Sequence, residues 1–475
     1  MDLNRQPTDT VLRQARVSEL QPIYRVNEIR HKSSWFANHY SIYFLSFILT
    51  AFVGGMLLSL PIASNLGTFT NFYVALFTST SAITITGLAI VDTSTHWSPI
   101  GQAIIFTLMI IGGISLVSVT AFLLISIGHN YLLDQRRTSI SPPGSSTSKL
   151  AYLTRNIVIT ACIFYLLGST AIFWNIHTHV NQDLGASIWQ SSFLAVSAFN
   201  NAGFSILQDI PTPGIHNGVI SGKFLTLSVM LLIIVGGLGW PVLADLYQKR
   251  RINRLSLNTK LVLTTSLFLW ILGTCIFVFA EHANTLTDLK LLDKLWHSLF
   301  HSVSGRTAGF TTIDFQSVQD FTKLTYSALM FIGGGSASMA GGIKINAFAV
   351  IIVAVISSLK GRLHPEAFGR EVTGQQVSLA LTLGFLGIAF IIVIMTILNV
   401  TEPHVNFLDL LFETISAFST NGTSVGVVGT LSNVGNSIFI SAMLIGRLGP
   451  IALALILIPR DNTAYNFLEE RVTIG

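Results

Sequence analysis

The sequence predicts an all-α membrane protein built from four tandem helix–loop–helix repeats around one pseudo-fourfold axis. Of the 475 residues, 51% are hydrophobic and only 10% are charged, whereas soluble domains carry about 25% charged residues. Four short polar loops, each containing a glycine, interrupt the apolar sequence at spacings of 116, 106 and 113 residues. The low charge content identifies the bilayer as the solvent, and the regular spacing indicates a fourfold internal repeat.

The four polar loops predict a single pore. An unpaired peptide group in hydrocarbon costs several kcal/mol, so non-helical backbone at membrane depth is tolerated only where protein or a water-filled cavity surrounds it. Four such loops in one chain are most simply placed around one common cavity. We name them glycine loop 1 (TITGL, 84–88), glycine loop 2 (NNAGF, 200–204), glycine loop 3 (RTAGF, 306–310) and glycine loop 4 (TNGTS, 420–424).

Long gaps between charged residues locate the membrane segments. No Asp, Glu, Lys or Arg occurs between Lys32 and Asp92, or between Asp92 and Asp134, and a spanning helix needs about 20 apolar residues. A shorter apolar segment precedes each glycine loop, with a length typical of re-entrant helices. The predicted spans are 40–62, 100–130, 151–178, 222–247, 259–281, 323–358, 376–400 and 432–459, and the predicted half-helices are 71–84, 186–199, 292–305 and 406–419.

These eight spans and four re-entrant half-helices divide the chain into a tail and four pore repeats. The tail, 1–38, carries charges and lacks the apolar stretch of a signal peptide, so we expect it in the cytosol. Lys and Arg concentrate in the connections between repeats, which places those connections and both termini in the cytoplasm. The repeats are 39–135, 150–250, 256–360 and 372–475.

The glycine loops are candidates for binding a dehydrated cation. A ring of main-chain carbonyls can replace the hydration shell of a cation, and glycine adopts the required dihedrals without a Cβ penalty. Each half-helix would direct its partly negative C-terminal end at the same axis, which favours a cation over an anion. The candidate ion-binding residues are Thr84, Ile85, Thr86, Gly87, Asn200, Asn201, Ala202, Gly203, Arg306, Thr307, Ala308, Gly309, Thr420, Asn421, Gly422 and Thr423.

The acidic residues near the glycine loops have two possible roles. Asp92, Asp209 and Asp314 follow the first three loop glycines by five or six residues. They either concentrate cations at an outward mouth or cap the segment that follows, and both roles are compatible. In the fourth half-helix, Glu413 is expected to be a structural partner of the loops rather than an ion ligand. Asp409 lies near the start of that half-helix, where the helix dipole stabilises it.

The inner segment of repeat 3 is predicted to break into a loop. The string FIGGGSASMAGGIKIN at 331–346 contains five glycines, and each glycine costs about 1 kcal/mol relative to alanine inside a helix. We name residues 333–342 the inner loop and expect it to be a gate; a tight helix crossing is the alternative. Its residues are Gly333, Gly334, Gly335, Ser336, Ala337, Ser338, Met339, Ala340, Gly341 and Gly342.

Two cations, Lys344 and Arg447, are predicted at matching depths on the inner side of the glycine loops. A bare charge at mid-bilayer costs at least about 2.5–3.5 kcal/mol, so each needs an acceptor. The carbonyls of the inner loop are the expected partners, and through them Arg447 would hold the gate closed. Snorkelling to the interface is the alternative for Lys344.

Enzyme chemistry finds no support in the sequence. The glycine-rich start of the inner loop follows no strand and is embedded in an apolar span, so the context of a nucleotide site is missing. His297 and His301 are four residues apart in the third half-helix and are expected on its face rather than at a metal. Cys162 and Cys275 fall in apolar spans, where we expect small core residues. No cofactor is implied, and the net charge of +5 follows from topology and needs no nucleic acid.

Five strings together carry a family resemblance, which covers residues from about 40 to the C-terminus. The chain resembles the Trk/Ktr/HKT superfamily of potassium transporters, most closely a KtrB-type subunit and otherwise a TrkH-type subunit. The strings are HSVSGRTAGFTTID at 301–314, MFIGGGSASMAGGIK at 330–344, VGGLGWP at 235–241, LSLNTKLVL at 255–263 and IGRLGP at 445–450.

The resemblance implies uptake of K⁺ across a bacterial plasma (inner) membrane through a four-loop selectivity filter, with an intramembrane gate at 333–342 restrained by Arg447. It further implies a homodimer with one pore per chain, surrounded by membrane lipid, and a cytosolic ring of nucleotide-binding regulatory (RCK/KTN) subunits. Glycine rather than serine at Gly87 favours potassium over sodium; a sodium-permeable or sodium-coupled transporter of the same fold is the alternative. Asn421, Thr423 and Met339 depart from the family pattern.

Two functions from other classes are alternatives for this sequence. A secondary transporter with alternating access at broken helices is disfavoured because the repetition is fourfold rather than twofold. A membrane scaffold or receptor would use the glycine loops for packing alone. Restoration of growth at low potassium in uptake-deficient cells distinguishes the pore from the scaffold.

Overall fold

A computed structural model describes residues 39–114, 145–179, 183–207, 222–362 and 364–449, and these are predominantly helical. The predicted tail, the second span beyond residue 114, Asp209 and the chain after residue 449 lie outside the described residues. Within the described part, outer helices, half-helices and inner helices follow one another in the predicted order.

The helices of repeats 1 and 2 are α1 (His39–Ser59), α2 (Phe72–Thr84), α3 (Thr93–His96), α4 (Pro99–Ile114), α5 (Ser145–His179), α6 (Leu184–Asn200), α7 (Lys223–Leu238) and α8 (Trp240–Lys249). Those of repeats 3 and 4 are α9 (Leu257–Glu281), α10 (Leu291–Ser304), α11 (Asp320–Phe331), α12 (Ile345–Leu359), α13 (Gly374–Thr401), α14 (Phe407–Ser419) and α15 (Asn433–Leu448). A short hairpin of β1 (Glu366–Ala367) and β2 (Arg370–Glu371) joins repeats 3 and 4.

The half-helices α2, α6, α10 and α14 match their predicted bounds to within two residues. Three of them begin at a side-chain cap: Asn71 accepts a hydrogen bond from the Tyr73 N–H, Asp183 accepts one from Ala186, and Asn406 accepts one from Leu408. Such caps satisfy amides that the first helical turn leaves unpaired. The polar residue in front of each apolar run therefore sets where these three half-helices start.

The repeats close into a ring because each inner helix packs against the half-helix of the following repeat. Helix α7 contacts α10, α11 contacts α14, and α15 of the last repeat contacts α2 of the first. Between repeats 1 and 2, Trp189 Nε1 of α6 donates a hydrogen bond to Gln102 Oε1 of α4 at 3.0 Å. The four half-helices consequently surround one axis.

A second set of glycines lets the inner helices reach the ends of the half-helices. In repeats 1, 2 and 4 these are Gly112, Gly236 and Gly446, and an added Cβ on any of them would lie within 3.0 Å of a half-helix carbonyl oxygen. Side chains at these sites would separate the helices, so these glycines allow close packing. The contacted oxygens belong to Ile83, Phe199 and Phe418, respectively.

Within the described residues two inner helices are broken, and the sequence predicted only one of the breaks. The predicted continuous span at 222–247 is wrong: α7 and α8 meet at an angle of 95°. Gly239 sits at the bend with φ +90°, and Pro241 at the start of α8 provides no N–H for a continued helix. In repeat 3, α11 ends at Phe331 and α12 begins at Ile345, as the glycine-rich string predicted.

Buried carboxylates join outer helices to inner helices in repeats 3 and 4. Glu281, the last residue of α9, accepts hydrogen bonds from Asn284 Nδ2 at 2.8 Å and from the Gln319 N–H at 3.0 Å. Glu402, which follows α13, accepts one from the Ser432 N–H at 3.2 Å. Gln319 and Ser432 are the residues that cap α11 and α15. Each glutamate thus fixes the start of an inner helix.

The outer helices carry the membrane-facing surface. Thr154–Thr178, Leu257–Glu281 and Gly374–Thr401 are long and apolar enough to cross a bilayer, and the bent pair α7 and α8 passes the same test when taken as one span. Cys162 and Cys275 are both free and exposed on these helices. The prediction that they are core residues is therefore wrong. An apolar run does not distinguish a side chain that packs against protein from one that faces lipid.

Candidate functional site

The four loop glycines form a closed ring. Each of Gly87, Gly203, Gly309 and Gly422 lies so near the next loop that an added Cβ would come within 3.0 Å of a carbonyl oxygen there. That oxygen always belongs to the residue immediately before the next ring glycine, so carbonyls and glycines alternate around the axis. Taken in ring order, the oxygens are those of Ala202, Ala308, Asn421 and Thr86.

The backbone of the glycine loops is repeated four times. Two residues before each ring glycine the chain is left-handed, with φ of 58°, 58°, 77° and 51° at Ile85, Asn201, Thr307 and Thr420, and the ring glycines themselves have φ from 71° to 90°. Non-glycine residues rarely adopt such angles, so the surrounding contacts must hold them there. The four loops are therefore equivalent in conformation although their sequences differ.

A serine in the last turns of each half-helix anchors the loop that follows. The residue before every ring glycine donates its N–H to the carbonyl oxygen of that serine, which satisfies an acceptor that the helix end leaves free. The four bonds are Thr86 to Ser81 at 2.8 Å, Ala202 to Ser197 at 2.7 Å, Ala308 to Ser304 at 2.9 Å and Asn421 to Ser416 at 2.9 Å.

A cavity of about 300 Å³ adjoins the ring, and all four ring glycines contribute to its wall. Asp92 also lines this cavity, while its Oδ1 accepts hydrogen bonds from the N–H and hydroxyl of Ser94 at the start of α3. For Asp92 both readings of the acidic residues therefore hold. Asp314 accepts a hydrogen bond from the Gln316 N–H at 2.9 Å, which is the capping reading.

Two loop asparagines brace the ring rather than face it. Asn200 accepts a hydrogen bond from the Tyr165 hydroxyl at 2.8 Å and donates one to Met109 O of α4 at 3.2 Å. Asn421 Oδ1 accepts a hydrogen bond from the Thr307 N–H at 2.8 Å and so ties glycine loop 4 to glycine loop 3. Both residues are among the candidate ion-binding residues, and the contacts of their side chains position neighbouring backbone.

The loop hydroxyls divide into paired and unpaired groups. Thr84 donates to Thr80 O at 2.6 Å and hydrogen-bonds to the Thr86 hydroxyl at 2.8 Å, and Thr423 accepts from Asn421 Nδ2 at 2.7 Å. The buried hydroxyls of Thr307 and Thr420 have no hydrogen-bond partner among the described residues. These two are the hydroxyls that remain available on the inner side of the loops.

Arg306 points to the inner loop, although the sequence grouped it with the ion ligands. Its Nη2 donates a hydrogen bond to Gly333 O at 2.8 Å, and its guanidinium lies 5.8 Å from the centre of the Trp270 ring. The side chain is buried. Arg306 therefore connects glycine loop 3 to the first residue of the inner loop, and only its main chain lies in line with the ring.

The carboxylates of the fourth half-helix have structural contacts. Glu413 Oε1 accepts hydrogen bonds from the Ser424 hydroxyl and from the Val425 N–H at 2.9 Å, which confirms its predicted role as a partner of glycine loop 4. Asp409 forms an ion pair with Lys323 of α11 at 2.7 Å. The helix-dipole argument for Asp409 missed this lysine, which the sequence places 86 residues away.

The two histidines of α10 share one partner. His297 Nδ1 and His301 Nε2 each lie 2.9 Å from Thr312 Oγ1, and the His301 ring stacks on Phe277 at 4.9 Å between centres. Both rings thus face the segment just after glycine loop 3.

The inner loop is attached to the bend between α7 and α8. The bend leaves main-chain groups of α7 without helical partners, and the inner loop supplies the missing donors and an acceptor. The three hydrogen bonds are Gly335 N–H to Gly237 O at 2.8 Å, Met339 N–H to Gly236 O at 3.1 Å and Trp240 N–H to Ala337 O at 3.1 Å.

Both predicted inner cations contact carbonyls of the inner loop, as expected. Arg447 Nη1 donates to Met339 O, and Lys344 Nζ donates to Ala340 O. Arg447 is 3% exposed, and its Nη2 lies 3.5 Å from Gly112 O of repeat 1. The inner loop is packed equally closely against glycine loop 4, because an added Cβ on Gly341 would collide with the Thr420 hydroxyl. The loop therefore lies directly beneath the ring and is held from three sides.

Several residues of the site were missed by sequence reasoning. The anchoring serines carry a usable signal, since each lies five or six residues before a ring glycine. Gly239 carries one as well, because a glycine two residues before Pro241 interrupts an otherwise continuous apolar run. Tyr165, which braces Asn200, carries none, because its partner is 35 residues away in the chain.

Known proteins are similar to this chain in sequence and in architecture. The family model described as "TrkH: Cation transport protein" matches residues 36–465. The chain is 33% identical to "Ktr system potassium uptake protein B" of Bacillus subtilis (strain 168), covering 91% of this chain and 95% of that protein. It is 34% identical to "Potassium/sodium uptake protein NtpJ" of Enterococcus hirae, covering 90% and 95%.

The fold also has a solved counterpart. The crystal structure of the potassium transporter TrkH from Vibrio parahaemolyticus superposes with a TM-score of 0.69 at 17% identity and covers 91% of this chain and 86% of that one. At this identity the likeness concerns the fold, which is the tandem pore-loop architecture of TrkH. Together with the match to the family model over most of the sequence, it leads to one conclusion: the chain belongs to the TrkH family of cation transport proteins.

Proposed function

We propose that this chain takes up K⁺ across the plasma membrane through its own pore, with the ring of Gly87, Gly203, Gly309 and Gly422 as the selectivity filter. The observation that supports it is the alternation of four glycines with four main-chain carbonyls around one axis. A ring of main-chain carbonyl oxygens can replace the water around a monovalent cation. The half-helix C-termini add partial negative charge at the same place.

The ion enters the filter from the cavity next to the ring. Asp92 contributes the negative charge of its wall, and a low-dielectric cavity with one sign of charge raises the local cation concentration. The ligands of the ion are main-chain oxygens of the loop segments 84–87, 200–203, 306–309 and 420–423. Most polar side chains of these segments serve to hold the backbone in place.

The inner loop is the gate. It lies below glycine loop 4, is held by the α7–α8 bend, and is restrained by Arg447 through the oxygen of Met339. Two cations beneath the filter also oppose a waiting K⁺ electrostatically. Conduction therefore requires that the loop leave the axis, which breaks the Arg447 hydrogen bond.

Transport that passes Na⁺ or is coupled to it is the second candidate function. The relative from Enterococcus hirae is named for potassium and sodium uptake, so a pore that passes or is coupled to Na⁺ is the alternative within the same fold. The fourth glycine loop, with Asn421 and Thr423, is the place where the two functions would differ. Flux ratios of the purified protein in liposomes with K⁺ or Na⁺ distinguish them.

The assembly follows the family pattern. The relative named for a Ktr system implies further components, and we assign a homodimer with one pore in each chain and a cytosolic ring of nucleotide-binding regulatory subunits. The basic connections between repeats face the cytoplasm, as do both termini, in a bacterial inner membrane. These connections are the surface that the regulatory ring contacts.

Serine substitutions in the ring test the filter. Gly203→Ser and Gly309→Ser place a Cβ against Ala308 O and Asn421 O, respectively, and strain a left-handed backbone. We expect both variants to lose preference for K⁺ over Na⁺ in liposome flux assays by about tenfold or more. The matched control is Gly429→Ser, because Gly429 is exposed and its nearest neighbour, Ile90 O, lies at 4.0 Å. Unchanged flux ratios in both ring variants would overturn the filter assignment.

Growth of uptake-deficient cells at low potassium tests the function itself. The full-length chain, expressed with its regulatory subunit, is expected to restore growth, and the Gly429→Ser control is expected to do the same. Correct membrane insertion without growth, in cells where a known uptake system succeeds, would exclude potassium uptake and favour a scaffold role.

A further inference from the structure

A second, much smaller cavity lies between repeats 2 and 3. Its volume is about 20 Å³, and both glycine loops of these repeats border it. The residues that line it include three with polar side chains, Asn201, Arg306 and Ser266, together with Gly237 and Gly334. The indole of Trp270 and aliphatic side chains close the remainder.

Two of these side chains carry buried polar atoms that have no hydrogen-bond partner among the described residues. Asn201 is 1% exposed, and both its Oδ1 and its Nδ2 are unpaired among the described residues; Arg306 is 6% exposed, and its Nε is unpaired in the same part of the chain. Buried polar atoms are rarely left unsatisfied, since each has given up its hydrogen bonds to bulk water. An acceptor and donors thus border one cavity from two different glycine loops.

The neighbouring boundaries of the ring are joined directly by side chains. Asn421 of glycine loop 4 accepts a hydrogen bond from the Thr307 N–H of glycine loop 3. Asn200 of glycine loop 2 donates one to Met109 O of repeat 1. Between glycine loops 2 and 3, Asn201 and Arg306 border the same cavity but form no hydrogen bond with each other in the described structure.

We propose that this cavity binds one structural water molecule, which hydrogen-bonds Asn201 and Arg306 and thereby couples glycine loop 2 to glycine loop 3. A cavity needs about 10–15 Å³ of probe volume to hold a water, and two to four polar partners. The water accepts the Arg306 Nε–H and donates to Asn201 Oδ1. The adjacent guanidinium excludes a metal cation, and the volume excludes a larger ligand.

The coupling has a consequence for the filter, so this part rests on the proposed function. Asn201 is the left-handed residue two positions before Gly203, and Arg306 lies three positions before Gly309. A water that joins them sets the separation of two ring glycines at a boundary where Asn201 and Arg306 do not meet directly. Asn201 and Arg306 act here as positioning residues, because neither side chain touches the ion.

The test begins with a density map and uses the full-length chain with its regulatory subunit. A cryo-EM or crystal structure at about 2 Å is expected to contain one density peak within hydrogen-bond distance of Asn201 and Arg306. A cavity without a peak, or a peak that contacts only one of the two residues, would overturn the proposal. This readout does not depend on transport. The water proposal can therefore fail while the filter assignment stands, and the filter assignment can fail while the water is present.

Three variants then test what the water does. Asn201→Leu removes the Asn201 oxygen that accepts from the water and leaves only Arg306 as a partner, and Ser266→Leu fills the cavity from α9 without changing either glycine loop. Both variants are expected to abolish the peak, lower the Tm and reduce K⁺ over Na⁺ preference by about tenfold. Asn201→Asp retains an acceptor toward Arg306 and is expected to keep the preference. Wild-type selectivity in both leucine variants, or equal loss in Asn201→Asp and Asn201→Leu, would overturn the coupling role.

Discussion

Arg447 of α15 donates a hydrogen bond to the main-chain oxygen of Met339, so the last inner helix of the chain is tied to the loop that interrupts the inner helix of repeat 3. A hydrogen bond from a charged group contributes about 1.5–3 kcal/mol, and 1.4 kcal/mol is a factor of ten in an equilibrium. This single contact is therefore strong enough to decide whether the inner loop lies across the axis.

Arg447→Gln is expected to increase the K⁺ uptake rate about tenfold or more, because a neutral and shorter side chain holds Met339 O less tightly and repels cations less. Rubidium uptake into liposomes without the regulatory subunit measures the effect. Arg447→Lys keeps the charge and is expected to fall between the variant and the wild type. A lower uptake in Arg447→Gln, at equal protein content, would contradict the latch.

Gly239→Ala is expected to loosen the inner loop. The added Cβ would meet Ser336 O closer than 3.0 Å, at a position where φ is +90°, so the loop must move away from the α7–α8 bend. We expect a constitutive K⁺ leak and a lower Tm. Gly361→Ala is the matched control, because Gly361 also has a positive φ, of 66°, but has no atom within 4 Å of the added Cβ. Equal behaviour of the two variants would show that backbone strain alone, and not displacement of the loop, explains the result.

The ion pair of Lys323 and Asp409 is expected to stabilise the junction of α11 and α14. The Lys323 side chain is 10% exposed and that of Asp409 is 25% exposed, so removing one partner leaves a poorly solvated charge. Asp409→Asn is expected to lower the free energy of unfolding by roughly 1–3 kcal/mol. Arg362 and Glu366 provide the comparison: both are about half exposed, and Glu366→Gln is expected to cost under about 1 kcal/mol.

A double-mutant cycle makes the ion-pair prediction specific. If the two charges act on each other, Lys323→Met combined with Asp409→Asn is less destabilising than the sum of the single variants. Thermal unfolding in detergent measures all four proteins. Additive effects would mean that the contact at 2.7 Å carries no coupling energy.

Gly446→Ala is expected to disrupt the ring through the contact between α15 and the end of α14. The added Cβ would collide with Phe418 O at the end of α14, so α15 or glycine loop 4 must shift. We expect loss of K⁺ preference together with a lower Tm. Gly384→Ala in α13 is the matched control: its Cβ would make an ordinary contact with Ile351 at 3.5 Å, and alanine is the better helix former by about 1 kcal/mol. A stable and selective Gly446→Ala protein would refute the packing role.

The local sequence was sufficient to predict those elements whose structure is decided by neighbouring residues. The half-helices were predicted to within two residues because an apolar run of fixed length is bounded by a polar cap such as Asn71 or Asn406 and by a glycine loop. The break after Phe331 was predictable because five glycines in 16 residues cannot sustain a helix. The convergence of the glycine loops followed from the cost of unpaired backbone in a membrane.

Contacts between distant residues decided the rest. The direction of the Arg306 side chain depends on Gly333 of the inner loop and on Trp270 of α9, and the sequence contains no local signal for it. The bend at Gly239 exists because the inner loop satisfies the exposed groups of Gly236 and Gly237. The apolar run at 222–247 predicts one straight span, because the sequence does not show that the inner loop will satisfy these groups.

The packing of α15 against α2 also governs how the protein is made. Because a ring is complete only when its two ends meet, a nascent chain that has delivered three repeats to the bilayer still has an open seam where α2 awaits α15. Contacts that join the start of a polypeptide to its end form late, since they require the longest closure. We therefore expect the seam between α15 and α2 to be the last contact of the ring to form during folding.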